Sequence, residues 1–122
     1  MEQPDLEIVR IKGNKVQLGL YVKCLMDGDN YLMYSPTLEI SGYGDTEKEA
    51  EESFKHICKE TFREILELPK KDIDSYLSSF GFKKQKFKNK NFSKAFVDDD
   101  GVLRDLNIDL NTVKTSKVEI VA

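Results

Sequence analysis

A chain of 122 residues is one domain's worth, and it can bury roughly two-thirds of its unfolded surface, enough to fold without a metal or a disulfide. With 19 Lys and Arg against 22 Asp and Glu the net charge is −3, so the molecule as a whole is no general polyanion binder. No apolar run approaches the roughly 20 residues of a membrane helix, and Met1-Glu2-Gln3-Pro4-Asp5 lacks the basic and apolar regions of a signal peptide. A cytoplasmic location without membrane contact is therefore expected.

Residues 5–12 read as a strand carrying Leu6, Ile8, Val9 and Ile11. Gly13-Asn14 follows, a dipeptide suited to the positive-φ positions of a tight hairpin. The clearest period of two comes next: Val16, Leu18, Leu20, Val22, Cys24 and Met26 fall on one face, with Leu25 the exception on the other. Such alternation predicts a long, half-buried antiparallel strand. Asp27-Gly28-Asp29-Asn30 is a turn, and a third strand starts at 31–34. Pro36 has no amide to give to a ladder, so that strand must stop, bulge or lie at an edge there. A further short strand is expected over 38–43.

The main helix is expected over 46–66. Thr46 and Glu49 fit a capping box, in which the hydroxyl accepts from the N3 amide and the carboxylate reaches back to the cap amide. Ala50, Phe54, Ile57, Cys58, Thr61, Phe62, Ile65 and Leu66 then form one apolar stripe. Pro69 ends or restarts the helix, and a second helix over about 70–80 carries Ile73, Tyr76, Leu77 and Phe80. Gly81 and Phe82 are placed for a Schellman stop on Leu77. Beyond it, Asp98-Asp99-Asp100-Gly101 reads as a turn between 93–97 and 102–105, residues 106–110 alternate like a strand, and 118–121 make a last strand or a frayed tail.

Candidate chemistry is sparse. Two cysteines 34 residues apart and a single histidine lack metal-ligand spacing, so no metal or cofactor is expected. Cys24 and Cys58 both fall on apolar phases and read as buried thiols, a disulfide between them being the alternative. His56 lies about 200° around the helix from Phe54, facing solvent. Gly42-Tyr43-Gly44 lacks the third glycine or the Gly-Lys-Thr of a phosphate loop and reads as a turn. If Gly101 is set at position 6 of a calcium loop, Phe96 and Asn107 occupy positions 1 and 12, where neither supplies a carboxylate. The segment 82–94 stands out. Lys83, Lys84, Lys86, Lys88, Lys90 and Lys94 interleave with Phe82, Phe87 and Phe92, as in a single-stranded nucleic-acid surface. Its structural alternative is a strand with phenylalanines in the core and lysines outward.

The stretch 31–54, with Pro36, Gly42, Gly44-Asp45-Thr46, Glu49-Ala50 and Phe54, resembles the HicB-like antitoxin domain. That family's pattern is a strand hairpin, a Pro-bearing turn, a short strand ending in Gly-Asp/Asn-Thr, and Glu-Glu-Ala opening an amphipathic helix. The resemblance covers about residues 15–67. It implies a β-β-β-α-β fold with the helix across an antiparallel sheet, homo-oligomers, and inhibition of a small RNA-cleaving HicA-type toxin by direct binding. Complete members usually add a C-terminal DNA-binding part. This chain shows strand patterns and no helix pair after Leu103. A weaker likeness to the toxin's own helix–hairpin layout runs from Ile73 to Leu110, without a counterpart of its catalytic histidine.

Together these readings predict a single α+β domain over 1–122, a 15–67 unit followed by a 68–122 helix-and-strand extension. An antiparallel sheet of five or six strands should carry the 46–66 helix on one face. Gly42, Gly44, Asp45, Thr46 and Glu49 are its structural turn and cap. Two function classes follow. The first is a non-catalytic, homo-oligomeric protein-interaction module of the HicB-like toxin–antitoxin type. The alternative is a nucleic-acid-binding module using Lys84, Lys86, Phe87, Lys88, Lys90 and Lys94.

Overall fold

The structure, a computed structural model, describes residues 6–85, 88–95 and 114–121. It is α+β, as the periodicities predict, with strands β1 (Leu6–Lys12), β2 (Lys15–Asp27), β3 (Asn30–Ser35) and β4 (Ile40–Gly44), helices α1 (Glu47–Leu66) and α2 (Lys70–Ser79), and strands β5 (Lys83–Gln85), β6 (Lys88–Ala95) and β7 (Lys114–Val121). The described strands form one seven-stranded antiparallel sheet, more than the five or six expected. Within the Lys-rich segment, residues 83–85 and 88–95 fold as β5 and β6, with Phe82 and Phe92 buried. The expected 98–101 turn and the strands over 102–105 and 106–110 lie outside the described residues.

Both early hairpins turn on two residues, Gly13-Asn14 and Gly28-Asp29, closed by the pairs Lys12–Lys15 and Asp27–Asn30. Only the glycine of each has positive φ (60° and 61°). This is the II′ pattern, so Asn14 does not take the positive φ that the sequence suggested. Strand β3 stops at Pro36 as expected, and the 36–39 turn closes with Glu39 N–H donating to Ser35 O (2.8 Å). Strand β4 therefore starts at Ile40 rather than at 38.

The path β4-β3-β2-β1-β6-β5 has a fork at β2. Residues Gln17 to Gly19 pair with β1 and β7 at once, and Lys23 and Cys24 with β3 and β7 at once. A strand has two edges, so β1 and β3 share the edge opposite β7, one beyond the other. Residues 20–22 sit in the gap between them.

Helices α1 and α2 cover one face of this sheet and close a single core over Val9, Leu18, Leu20, Val22, Met33, Phe54, Phe62, Leu77, Phe82, Phe92 and Ile120. Burial of each large apolar side chain contributes about 1.5–3 kcal/mol. The apolar phase of β2 is buried through Cys24, although Lys23 on the other face is buried as well, and the phase then reverses: Leu25 is buried and Met26 is 43 % exposed. Met26 pairs with Tyr31 at the hairpin end. There, beside Glu47 at the start of α1, both line an open cavity of about 240 Å³ instead of lying under a helical turn.

Local chemistry sets both helix boundaries. Glu49 N–H donates to Thr46 Oγ1 (3.1 Å), while the Glu49 carboxylate accepts from Asp45 N–H (2.8 Å) rather than from the Thr46 amide expected of a capping box. Thr46 is extended (φ −129°, ψ 161°), which leaves the Asp45 amide as the donor within reach. At the far end of α2, Gly81 (φ 94°) donates to Ser78 O (2.9 Å) and Phe82 N–H to Leu77 O (3.1 Å), the paired bonds of a Schellman stop.

Strand β4 meets α1 at two glycines. A Cβ on Gly42 would lie 2.3 Å from Phe54 N, and one on Gly44 2.6 Å from Ala50 N. Neither glycine has positive φ. The reason for Gly44 is thus the close approach of helix backbone, not the special backbone conformation that its place in the turn suggested. Thr46→Ala should cost about 1 kcal/mol through loss of the cap. Gly42→Ala should cost more, about 1–3 kcal/mol, because the backbone atoms it meets cannot step aside. Urea midpoints placing Gly42→Ala at or above Thr46→Ala in stability would contradict this seating of the helix.

Candidate functional site

The candidate nucleic-acid residues are dispersed by the fold. Phe82 and Phe92 are buried in the core, where neither ring can stack on a base. Lys84 forms a 2.6 Å ion pair with Asp74, tying β5 to α2. Lys94 donates to Thr37 Oγ1 (3.2 Å), and its stem passes 3.1 Å from where a Gly81 Cβ would stand. Lys86 and Phe87 lie outside the described residues. Lys88 and Lys90 are on β6, but their side chains are not among those described. The structure thus gathers no Lys/Phe surface from the residues it describes. The other predicted set, Gly42, Gly44, Asp45, Thr46 and Glu49, is brought together at the start of α1.

A polar cluster that the sequence reading missed sits at the fork. Glu7 is fully buried. Its Oε2 accepts from Tyr21 N–H (3.1 Å), in the gap between β1 and β3. Its Oε1 accepts from the Thr37 hydroxyl in the 36–39 turn, and Thr37 in turn accepts from Lys94 on β6. One carboxylate therefore links β1, the centre of β2, the turn after β3 and, through Thr37, β6. A signal was present: Glu7 shares the apolar phase of Val9 and Ile11, so an inward-facing acid was legible in the alternation. Its partners, 14 and 30 residues away, were not. Burial pushes the Glu7 carboxyl above its ordinary value of 4.5, against the opposing effects of the Thr37 hydroxyl, the Tyr21 amide and the Lys94 ammonium.

Cys24 and Cys58 are both buried and are not joined to each other, so the disulfide alternative does not hold. Burial raises the Cys58 thiol to about 12, far from a reactive thiolate at neutral pH. His56 is exposed on α1, as its wheel position predicts. No cluster of three or more His, Cys, Asp or Glu able to hold a metal occurs among the described residues. Likewise, no helix among them is long and apolar enough to cross a membrane.

A groove of about 610 Å³ opens at the end of α1. It lies between the last turns of α1 (Lys59, Arg63, Leu66), the first hairpin (Gly13, Asn14, Val16) and the end of β7 (Val121). Val16, Leu66 and Val121 give it an apolar floor, and Val121 is 63 % exposed. Lys59 and Arg63 supply cations at its edge, with Glu67 opposing them. Arg63 also reaches Glu60 (3.1 Å), an exposed pair that contributes little to stability. An apolar centre with Arg at the rim is the make-up of protein-binding surfaces. Compared with protein-family models, with curated proteins and with solved structures, the chain matches none.

The Glu7 cluster gives a signed pH dependence. An acid whose pKa is higher folded than unfolded holds its proton more tightly in the native state. Its contribution to stability is full below 4.5, the ordinary value, and is lost as pH rises through the raised folded value. Unfolding free energy measured by urea titration should therefore contain a component that declines with pH across that window. Glu7→Gln should flatten it, and a Glu7→Gln profile parallel to the wild type would rule Glu7 out as its source.

Proposed function

We propose that this protein is a non-catalytic protein-interaction module of the HicB-like antitoxin type, which binds a small RNA-cleaving partner and so blocks it. The observation that carries the reading is the open groove at the end of α1, lined by apolar Val16, Leu66 and Val121 together with the charged Lys59, Arg63 and Glu67. Two further features support it. Residues 15–67 fold as β2-β3-β4-α1, three antiparallel strands followed by a helix seated across them, the order that the resemblance implies. Of the residues in the nucleic-acid reading's segment, Phe82 and Phe92 are core residues, and Lys84 and Lys94 are engaged by Asp74 and Thr37. The HicB-like pattern closes with a strand directly after the helix, whereas here α2 intervenes before β5.

Partner capture followed by a ribonuclease assay tests this. The tagged chain should retain a small protein at roughly 0.5 M salt, where charge screening acts within a few ångströms. That protein should cleave RNA when released and be inactive when rebound. Lys59→Glu with Arg63→Glu, both at the exposed rim, should abolish capture and leave the fold intact. Reversal at Lys86, Lys88 and Lys90 should leave capture unchanged and spares the Lys84–Asp74 and Lys94–Thr37 contacts. Loss of binding in the second variant but not the first, with nucleic acid as the bound species, would overturn the reading in favour of the Lys-rich segment.

A further inference from the structure

Apart from Met1, the chain has four sulfur-bearing side chains, Cys24, Met26, Met33 and Cys58. Three of them line one cavity, the open space of about 240 Å³ between the end of the β2–β3 hairpin and the start of α1. The fourth, Cys58, lies in the core about two turns further along α1 than Ala50.

The hairpin register sets these sulfurs side by side. Cys24 and Met33 are direct partners across β2 and β3, and Met26 follows Cys24 by two residues. Residues two apart on a strand share a face, as do residues directly opposite. All three therefore project from the face on which α1 lies. Cys24 and Met33 belong to the core there, and Met26 is their uncovered neighbour, 43 % exposed. Directly opposed side chains start about 5 Å apart at Cβ, and diagonal ones, such as Met26 and Met33, are within reach of long side chains. A thioether on an unbranched, freely rotating chain can swing toward a neighbouring thiol. Ala50 lines the cavity from the first turn of α1 with only a methyl group, which leaves the space open. Glu47 adds an exposed carboxylate to the same wall.

We propose that Cys24, Met26 and Met33 form a binding site for one Cu(I) ion, held by a thiolate and two thioethers. Soft sulfur ligands of these two kinds select Cu(I). Zinc and calcium are held by imidazole, thiolate and oxygen donors, and of those side chains the cavity offers only Cys24, Glu47 and Tyr31. Binding forms three Cu–S bonds and releases the Cys24 thiol proton to solvent, with no change in oxidation state. The complex of one thiolate, two thioethers and Cu(I) has no net charge, so seating it against an apolar wall leaves no desolvated ion. Met26 gives the ion its way in, because its side chain stands at the exposed side of the cavity. None of these residues lines the groove at the far end of α1, so the site is independent of the partner proposed above.

Anaerobic titration of the whole chain with Cu(I), in competition with a chromogenic Cu(I) chelator, should transfer one ion per chain and release one proton. X-ray absorption at the copper edge should show sulfur neighbours only. Met26→Leu should weaken binding by at least the roughly tenfold that an outer-shell change costs a metal site. Its position is exposed, so the variant keeps its fold and decides the matter even if Cys24→Ala does not fold. Met33→Leu, close in volume, should weaken binding similarly. Cys24→Ala, where folded, should abolish it, and Cys58→Ala should bind as the wild type does. Zn(II) at the same concentration should not displace the copper. No transfer to the wild type, undiminished affinity in Met26→Leu, or loss of binding in a folded Cys58→Ala chain would each overturn the proposal.

Discussion

Strand β2 has one edge to give to two neighbours, and the carboxylate of Glu7 occupies the gap where β1 ends and β3 begins. Without an acceptor there, the Tyr21 amide would face a break in the ladder inside the protein. An unmet buried donor costs about 1–3 kcal/mol. The carboxylate meets it and also binds the Thr37 hydroxyl, so the turn after β3 is drawn against β1. Lys94 completes the cluster from β6. The price of this arrangement is a desolvated acid, which is why its carboxyl resists ionisation.

The second constraint is contact between backbones. Gly42 and Gly44 let α1 approach β4 so closely that any side chain there would overlap the helix. The helix then lies over β3 and β4 with Phe54, Cys58, Phe62 and Ile65 inward, and its C-terminal turns reach the first hairpin and the end of β7. The groove exists because those turns project past Val16 and leave Lys59 and Arg63 at an open rim. The side chains that seat the helix are thus not those that face a partner, so the two roles can vary independently.

The Lys-rich segment shows what the fold does with part of a basic, aromatic stretch. Six lysines and three phenylalanines within 82–94 have the make-up of a nucleic-acid surface. In the fold, the described phenylalanines belong to the core and two of the lysines support it: Lys84 pins α2 through Asp74, and Lys94 lays its stem over Gly81 before reaching Thr37. Lysine is suited to this use because a long apolar stem can cover a surface while the ammonium reaches a polar partner.

Local interactions were legible in the sequence because the chain carries both partners within a few residues. Thr46 and Glu49 fixed the start of α1, Gly81 and Phe82 the end of α2, and two Gly-containing dipeptides the hairpins. Period-two alternation gave the apolar phase of β2 as far as Cys24, though not the burial of Lys23 on the other face, and the 3–4 spacing gave the buried stripe of α1 apart from Ile57, which is exposed. What required the tertiary structure was every feature whose partners lie far apart in sequence. Alternation shows that Glu7 faces inward, but only the sharing of one β2 edge by β1 and β3 supplies the amide it bonds. The glycines at 42 and 44 read as turn residues until a helix backbone is placed against them. Met26 follows the apolar phase of its strand, yet α1 starts too late to cover it. Phase and capping are properties of one segment, whereas burial, pairing edge and groove depend on where a second segment stops, and no single stretch of sequence contains that.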